Sequence, residues 1–171
     1  DLNDIDYHIS KMINDGLDIL DVGGCSTRPG AKEISLDEEM SRVIPVFKYI
    51  RKKFPELIIS VDTFRSKIAE ACLNEGADII NDISSGMSDK NMMKTISNFN
   101  CPYIIMHMLG NPQVMQNSPK YENAVIEIIQ FLSERIKIAR DHGITDLISD
   151  PGFGFGKTIE NNFEILNNLE K

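Results

Sequence analysis

Five short apolar runs, each ending on a polar side chain, constrain the fold of this chain more than any other feature. Short runs that are almost wholly apolar, separated by helix-like stretches, are typical of parallel strands buried on both faces. Catalytic groups of α/β proteins lie at the carboxyl ends of such strands, so a row of polar groups is predicted along one rim. The runs and their terminal residues are Leu17–Leu20 with Asp21, Leu57–Val61 with Asp62, Ala77–Ile80 with Asn81 and Asp82, Tyr103–Met106 with His107, and Leu147–Ser149 with Asp150.

Size and charge limit the classes of function. The 171 residues are 42% hydrophobic and contain no linker or repeat, so we expect one domain over residues 1–171. The net charge of −8 argues against nucleic acid or an anionic membrane as a partner. No run reaches the roughly 18 apolar residues of a membrane span. The cysteines, Cys25, Cys72 and Cys101, have no CxxC spacing, which favours a reducing cytoplasm over a disulfide framework or a zinc site.

The apolar periodicity and the turn residues predict alternating helices and strands. Ser35 or Asp37 can cap the second helix, which contains Pro45, and Ser35 with Glu38 has the spacing of a capping box. The predicted helices are Ile5–Asp15, about Ser35 to Lys53, Arg65–Asn74, Asp89–Asn98, Glu122–His142 and one from Glu160. The predicted strands are Leu17–Val22, Leu57–Asp62, Ala77–Asp82, Pro102–His107 and Asp146–Asp150.

Two architectures fit this alternation. An open doubly wound sheet wants a glycine-rich turn that opens a helix directly after the first strand, and Gly23-Gly24 matches this only loosely. A (β/α)8 barrel explains polar groups at every strand end, but it needs eight strands and we count five. We therefore expect an incomplete (β/α)8 barrel of about five parallel strands with intervening helices.

Two loops carry candidate binding groups. Asp21–Ser35 contains two glycines, the hydroxyls of Ser26 and Thr27, and Arg28, a forked cation suited to phosphate or carboxylate; an ordinary surface loop is the alternative. Asp150–Thr158 alternates glycine and phenylalanine, which suggests a flat ligand close to the backbone. A phosphate-binding P-loop is excluded because its first glycine would have to stand where Pro151 is.

The middle strands end on Asp62, on Asn81 and Asp82, and on His107. Side chains alternate along a strand, so only one of Asn81 and Asp82 can face the barrel mouth. Carboxylates and an amide on one rim suit a donor-rich heterocycle, although each residue alone is more often a helix cap or a structural group. His107, between two methionines, is expected to be a buried histidine with its hydrogen bonds satisfied rather than a base or a metal ligand.

Five motifs in order, DVGGCSTRPG, SVDTFRS, INDISSG, MHMLGNPQVMQ and DPGFGFGK, make the chain closely resemble dihydropteroate synthases. That family has a (β/α)8 barrel. Its members join 6-hydroxymethyl-7,8-dihydropterin diphosphate to 4-aminobenzoate, giving 7,8-dihydropteroate and pyrophosphate in folate synthesis, and they are the target of sulfonamides. The resemblance therefore implies a transferase.

The resemblance also implies residue roles. Asp62, Asn81 and Asp150 would hydrogen-bond the pterin, and Asp62, Asp150 and Arg28 would be the catalytic residues. The remaining substrate-binding residues fall into two sets. Apolar or supporting residues of the pterin pocket are Ile83, Met106, Phe155 and Lys157, and residues of the loop that closes over 4-aminobenzoate and the diphosphate are Thr27, Arg28 and Pro29.

Further expectations come from what the family has and this chain lacks. Mg²⁺ is the implied cofactor, but the family's magnesium-linked Asn, a pterin-contacting Lys and an Arg-x-His diphosphate group do not occur here. We therefore expect a chain that lacks the first and last barrel strands and has little activity alone. A cytoplasmic location and a homodimer of the full-length protein are also implied.

Two other functions stay open. One is a pterin-binding methyltransferase that passes a methyl group from methyltetrahydrofolate to a corrinoid protein. The STRPG motif at Ser26–Gly30 favours the synthase over this reading. The other is a non-catalytic fragment that binds pterin or a partner chain.

Overall fold

The computed structural model of the protein describes residues 2–26, 32, 34–110 and 119–170, and in these ranges helices and strands alternate. The helices are α1 (Leu2–Asn14), α2 (Leu36–Lys53), α3 (Ser66–Asn74), α4 (Met92–Phe99), α5 (Ala124–Asp141) and α6 (Ile159–Leu166). The strands are β1 (Ile19–Gly23), β2 (Ile58–Asp62), β3 (Ile79–Asp82), β4 (Tyr103–Met106) and β5 (Leu147–Asp150).

The five strands form one parallel sheet in the order β1-β2-β3-β4-β5. Each strand therefore lies beside the next strand in the chain. A doubly wound sheet reverses its order at a switch point, whereas a barrel adds strands in sequence. The order confirms the prediction of an α/β, barrel-type fold with about five parallel strands.

One face of the sheet, here the helix face, is covered by the helices. Strand residues such as Ile59, Val61 and Ile80 are fully buried there against Phe47 of α2 and other helix residues. Complete burial of one such side chain stabilises the fold by about 1.5–3 kcal/mol. The opposite face, here the site face, bears Ile19, Ile58 and Ile148, each 44% exposed.

The second helix begins as the sequence predicts, with one difference. Ser35 caps α2, because its hydroxyl accepts a hydrogen bond from the Glu38 N–H at 3.1 Å. The capping box is only half formed, since the Glu38 carboxylate accepts from Arg42 one turn later instead of reaching back to Ser35. Pro45 lies within the helix, as predicted.

Helix α1 begins three residues before its predicted start, at Leu2, and α4 begins three residues after its own, at Met92 rather than at Asp89. The Asp89 carboxylate accepts hydrogen bonds from the Asn91 N–H and from Ser66 N–H at the start of α3. Asp89 thus serves a turn and a neighbouring helix, and α4 begins after it.

None of the helices in the described ranges is both long enough and apolar enough to span a bilayer.

Candidate active site

The strand register brings the predicted ligand-binding residues to one face and one edge of the sheet. Asp62 pairs with Asn81, and Met106 pairs with Asp150. Asn81 also pairs with Ile104, two residues before Met106. Side chains two residues apart share a face, so all four lie on the site face, at the carboxyl ends of their strands. We call Asp62, Asn81 and Asp150 the acceptor row.

Asp82 points the other way and has a structural role. It is fully buried, and its carboxylate accepts hydrogen bonds from the Tyr103 hydroxyl, from the Ser84 N–H and hydroxyl, and from the Gly86 N–H. Burial raises the pKa of Asp82 even though these donors oppose the shift. The prediction that only one of the two neighbouring residues faces the site is confirmed, and Asn81 is that residue.

Asp62 is the acceptor whose hydrogen bonding is least satisfied. Its Oδ1 is buried and has no hydrogen-bond partner among the described residues. Burial raises the pKa of Asp62 to about 7, and the charges of Asp21, Asp82 and Glu39 add to this effect. A buried carboxylate oxygen without a donor costs free energy, so this position suits a ligand that brings N–H groups.

The residues beside Asp62 leave space for such a ligand. Gly23 pairs with Asp62 across the sheet, and a Cβ at Gly23 would lie 3.2 Å from the Asp62 Cβ and 3.4 Å from its Oδ2. Asn81 donates from Nδ2 to Asp21 Oδ2 at 3.2 Å. The absence of a side chain at position 23 therefore keeps the face of the Asp62 carboxylate open.

Asp150 is held by the loop that follows it. Its Oδ1 accepts the Gly152 N–H at 2.7 Å. Gly152 has a φ of +70°, and a Cβ there would lie 2.0 Å from the His107 carbonyl oxygen. Only glycine allows this contact, which packs the loop after β5 against the loop after β4.

Apolar side chains stand next to the acceptor row. Ile83, Met106 and Met108 form a small buried cluster, against which Phe64 and Phe155 pack. The predicted apolar residues Ile83, Met106 and Phe155 therefore lie together. Phe64 and Met108 were not predicted, although each follows a predicted site residue by two positions and the period of a strand could have indicated them.

Lys157, in the loop after β5, is hydrogen-bonded to His107, in the loop after β4. It is 4% exposed, and its Nζ lies 3.1 Å from His107 Nδ1 and donates to the His107 and Phe155 carbonyls at 3.1 and 3.0 Å. Burial lowers the pKa of Lys157 to about 8, and burial together with the Lys157 charge lowers that of His107 to about 4. The buried, hydrogen-bonded state of His107 is confirmed, and substrate contact by Lys157 stays a prediction.

A buried ion pair supports the loop after β1 and was not predicted. Glu39 of α2 is 1% exposed and accepts from the Thr63 hydroxyl at 2.9 Å and from Arg65 Nη1 at 2.7 Å. Arg65 Nη2 also donates to the Ile34 carbonyl at 2.6 Å. An acidic residue in the first turn of a helix is usually a solvated charge, so nothing in the sequence marked Glu39 as buried. The predicted loop residues Thr27, Arg28 and Pro29 lie outside the described residues.

Comparison with known proteins identifies the family of the chain. A family model described as pterin binding enzyme matches residues 1–171. The chain belongs to the pterin-binding enzyme family. It is 44% identical to the dihydropteroate synthase of Clostridium beijerinckii over 174 residues, and 43% identical to that of Escherichia coli over 164 residues.

Solved structures in this family have the same fold. The dihydropteroate synthase of Yersinia pestis, solved as a sulfonamide drug complex, superposes with a TM-score of 0.94 at 36% identity and covers 99% of this chain. The Xanthomonas albilineans synthase with 4-aminobenzoic acid superposes with a TM-score of 0.87 at 37% identity over 95% of this chain.

The chain spans only part of these relatives. It covers 62% of the C. beijerinckii protein, 57% of the E. coli protein and 62% of the Y. pestis chain. The described strands and helices therefore correspond to a part of a pterin-binding barrel.

Proposed function

We propose that this protein is a dihydropteroate synthase, which condenses 6-hydroxymethyl-7,8-dihydropterin diphosphate with 4-aminobenzoate. In that reaction the C–O bond between the pterin methylene and the diphosphate breaks, and a C–N bond to the arylamine forms. The diphosphate leaves with the bonding electron pair, and the arylamine nitrogen loses a proton. The observation that carries the proposal is the buried Asp62 oxygen in the acceptor row, which no group of the described residues hydrogen-bonds.

The acceptor row matches the pterin in polarity. A pterin ring presents several N–H groups along one edge, and carboxylates accept from such groups. Asp62 and Asp150 are carboxylates, and the Asn81 carbonyl oxygen is available because its Nδ2 already donates to Asp21. Met106 and Phe155 would line the flat faces of the ring.

The same carboxylates explain rate enhancement. As the C–O bond breaks, positive charge develops on the pterin ring and its N–H groups become stronger donors. Hydrogen bonds to Asp62 and Asp150 are then stronger in the transition state than in the ground state, which is the requirement for catalysis. This chemistry needs no covalent intermediate on the protein.

The second substrate is assigned by resemblance. Relatives have been solved with 4-aminobenzoic acid and with 7,8-dihydropteroate. We propose that Thr27, Arg28 and Pro29 bind 4-aminobenzoate and the diphosphate here, with Arg28 as the cation next to the leaving group. These three residues lie outside the described ranges.

Magnesium stays a proposal from the resemblance. Within the described ranges no three or more His, Cys, Asp or Glu side chains come together in a way that could hold a metal ion. The described residues do not fit a protein-held magnesium site, and the steps above use only this chain's own side chains. A homodimer and a cytoplasmic location are likewise proposed from the family resemblance.

The alternative methyltransferase and binding-module functions receive less support. The curated relatives that we compared are dihydropteroate synthases or folate-synthesis proteins. Methyl transfer to a corrinoid protein without 4-aminobenzoate would favour the first alternative. Pterin binding by the intact protein without product formation would favour the second.

Because the chain spans only part of its relatives' length, the deciding experiment measures dihydropteroate formation by the purified full-length protein and by its Asp150→Asn variant. We expect 4-aminobenzoate-dependent product with the unchanged protein and at least a hundredfold loss in the variant. The matched control is Asp146→Asn, which changes an exposed carboxylate at the other end of β5 and should keep activity. Product without 4-aminobenzoate, or equal activity of the Asp150→Asn variant, would contradict the proposal.

A further inference from the structure

Asp21 lies within β1, two residues before its end, and the proposed reaction assigns this carboxylate no role. It pairs with Ser60 across the sheet, and Ser60 shares a face with Asp62, so Asp21 lies on the site face. Its side chain is exposed, and its Oδ2 accepts a hydrogen bond from Asn81 Nδ2 at 3.2 Å. This bond joins two strands that are not neighbours, because β2 lies between them.

The bond determines which group Asn81 can offer to a ligand. An ionised carboxylate has only acceptors, so the Asn81 amide must turn its NH2 group toward Asp21. The Asn81 Oδ1 then points away from Asp21, and it accepts no hydrogen bond from any described residue. An asparagine without this partner could rotate its amide by 180° at little cost and present a donor instead.

We propose that Asp21 is a positioning residue that turns the Asn81 carbonyl oxygen toward the N–H groups of the pterin. The proposal rests on the proposed function, because it takes a pterin as the ligand. With Asp21 present, Asn81, Asp62 and Asp150 all offer oxygen acceptors, and the site favours a ring edge that carries donors. Without Asp21, the Asn81 NH2 group can oppose the ring N–H, donor against donor.

The environment of Asp21 supports this role over a purely structural one. Asp21 is exposed, and its carboxylate accepts from no other described residue, so its removal leaves no buried group unpaired. A direct contact between Asp21 and the ligand is the competing explanation. The positioning role and the direct contact differ in one respect: only in the positioning role does the effect of Asp21 on binding depend on Asn81.

A double-mutant cycle separates these explanations. Binding of 6-hydroxymethylpterin is measured by its fluorescence for the intact protein, Asp21→Ala, Asn81→Ala and the double variant. We expect Asp21→Ala to weaken binding about tenfold when Asn81 is present, the effect of one hydrogen bond to a charged group. In the Asn81→Ala background the same change should weaken binding less than twofold, because its target is gone.

Two further variants complete the design. Asp21→Asn keeps an acceptor oxygen within reach of Asn81 Nδ2, so it should restore part of the lost affinity. Asp18→Ala removes an exposed carboxylate three residues upstream, which has no side-chain partner in the described part of the chain, and it should bind like the unchanged protein. Equal melting temperatures of Asp21→Asn and the unchanged protein show that the site is measured in a folded chain.

The outcomes are distinguishable. Unchanged affinity of Asp21→Ala, or an equal loss in both Asn81 backgrounds, overturns the positioning role and leaves the proposed function standing. Failure of the unchanged protein to bind the pterin overturns the proposed function and this inference with it. A loss that depends on Asn81 and is partly restored by Asp21→Asn supports the inference.

Discussion

The Asp62 carboxyl group shows how one residue sets the chemistry of the site. Its Oδ1 is buried without a donor from the described residues, and burial raises its pKa to about 7. This unfavourable position fits the proposed function, because an ionised carboxylate is what an N–H-rich ring would need. Asp62 is therefore poised to change its charge near neutral pH.

Pterin affinity should consequently depend on pH through Asp62. Hydrogen bonds from ring N–H groups require the ionised carboxylate, so affinity should rise from pH 5 and level off above about pH 7. The Asp62→Asn variant should bind at least tenfold more weakly at pH 8 and lack this dependence. A fluorescence titration from pH 5 to 8 measures both, and a pH-independent affinity of the unchanged protein would contradict the prediction.

At the level of single residues, the apolar runs predicted polar groups along one rim of the sheet, and the family resemblance selected Asp62, Asn81 and Asp150 from them. The sequence could not predict Glu39, whose burial depends on how α2 packs against β1 and α3. It also could not predict the bond from Asn81 to Asp21, since the two residues are 60 positions apart and meet only through the strand register.

At the scale of the elements, the loop after β5 packs directly against the backbone of the loop after β4, and Gly152 is the residue at this contact. Gly152 and Gly154 both have positive φ, but only a Cβ at Gly152 would collide, at 2.0 Å from the His107 carbonyl oxygen. We expect Gly152→Ala to lower the free energy of unfolding by more than about 3 kcal/mol.

Gly154→Ala is the matched control for this prediction. A Cβ at Gly154 has no heavy atom of the described residues within 4 Å, so only the backbone conformation is penalised, by about 1 to 2 kcal/mol. Urea denaturation measures both variants. Equal losses would show that the contact between the two loops does not form.

Two neighbouring glutamates of α2 give a second matched pair. Glu39 is 1% exposed and binds Thr63 and Arg65, whereas the Glu38 side chain in its ion pair with Arg42 is 48% exposed. Glu39→Gln leaves the Arg65 guanidinium without its buried carboxylate and should cost about 2 to 4 kcal/mol. Glu38→Gln should cost about 0.5 kcal/mol or less. Thermal or urea unfolding tests this, and a similar cost for both variants would argue against a buried pair.

The sequence predicted every helix and strand within a few residues, and the differences have local causes. Strand β3 begins at Ile79 rather than Ala77 because the Ala77 N–H closes the end of α3 on the Cys72 carbonyl. The Asp78 carboxylate accepts from Ile59 N–H and Arg51. The contact between Ala77 and Cys72 is local, whereas the contacts of Asp78 join residues 19 and 27 positions apart, which local periodicity does not reveal.

At the scale of the whole molecule, buried titratable groups couple stability to pH in opposite directions. The pKa of Asp62 rises from 3.8 to about 7 on folding, so the folded state binds more protons in that window and stability falls as pH rises through it. The pKa of His107 falls from 6.5 to about 4, so its contribution rises with pH over nearly the same window. The two contributions largely offset one another.

The Asp62→Asn variant should show that these two contributions to the free energy of unfolding oppose each other. The variant keeps the His107 contribution and loses that of Asp62, so its stability advantage over the unchanged protein should grow from about pH 4 to pH 7 and then stay constant. We expect an advantage of about 2 to 4 kcal/mol at pH 8. Urea denaturation at a series of pH values measures it, and a constant difference across the series would contradict a raised pKa of Asp62.

Because successive side chains of a strand face opposite sides of the sheet, the site is sensitive to insertions and deletions within its strands. In β3 the amide on the site face and the carboxylate that hydrogen-bonds Tyr103 belong to consecutive residues, Asn81 and Asp82. Deletion or insertion of one residue within β3, before Asn81, would turn Asn81 to the helix face and Asp82 to the site face. A charged group would replace the amide in the pocket, and the Tyr103 hydroxyl would lose its acceptor, so binding and folding would fail together. Insertions and deletions are therefore compatible with this fold in the loops, and substitutions are the only small changes that β3 can accept.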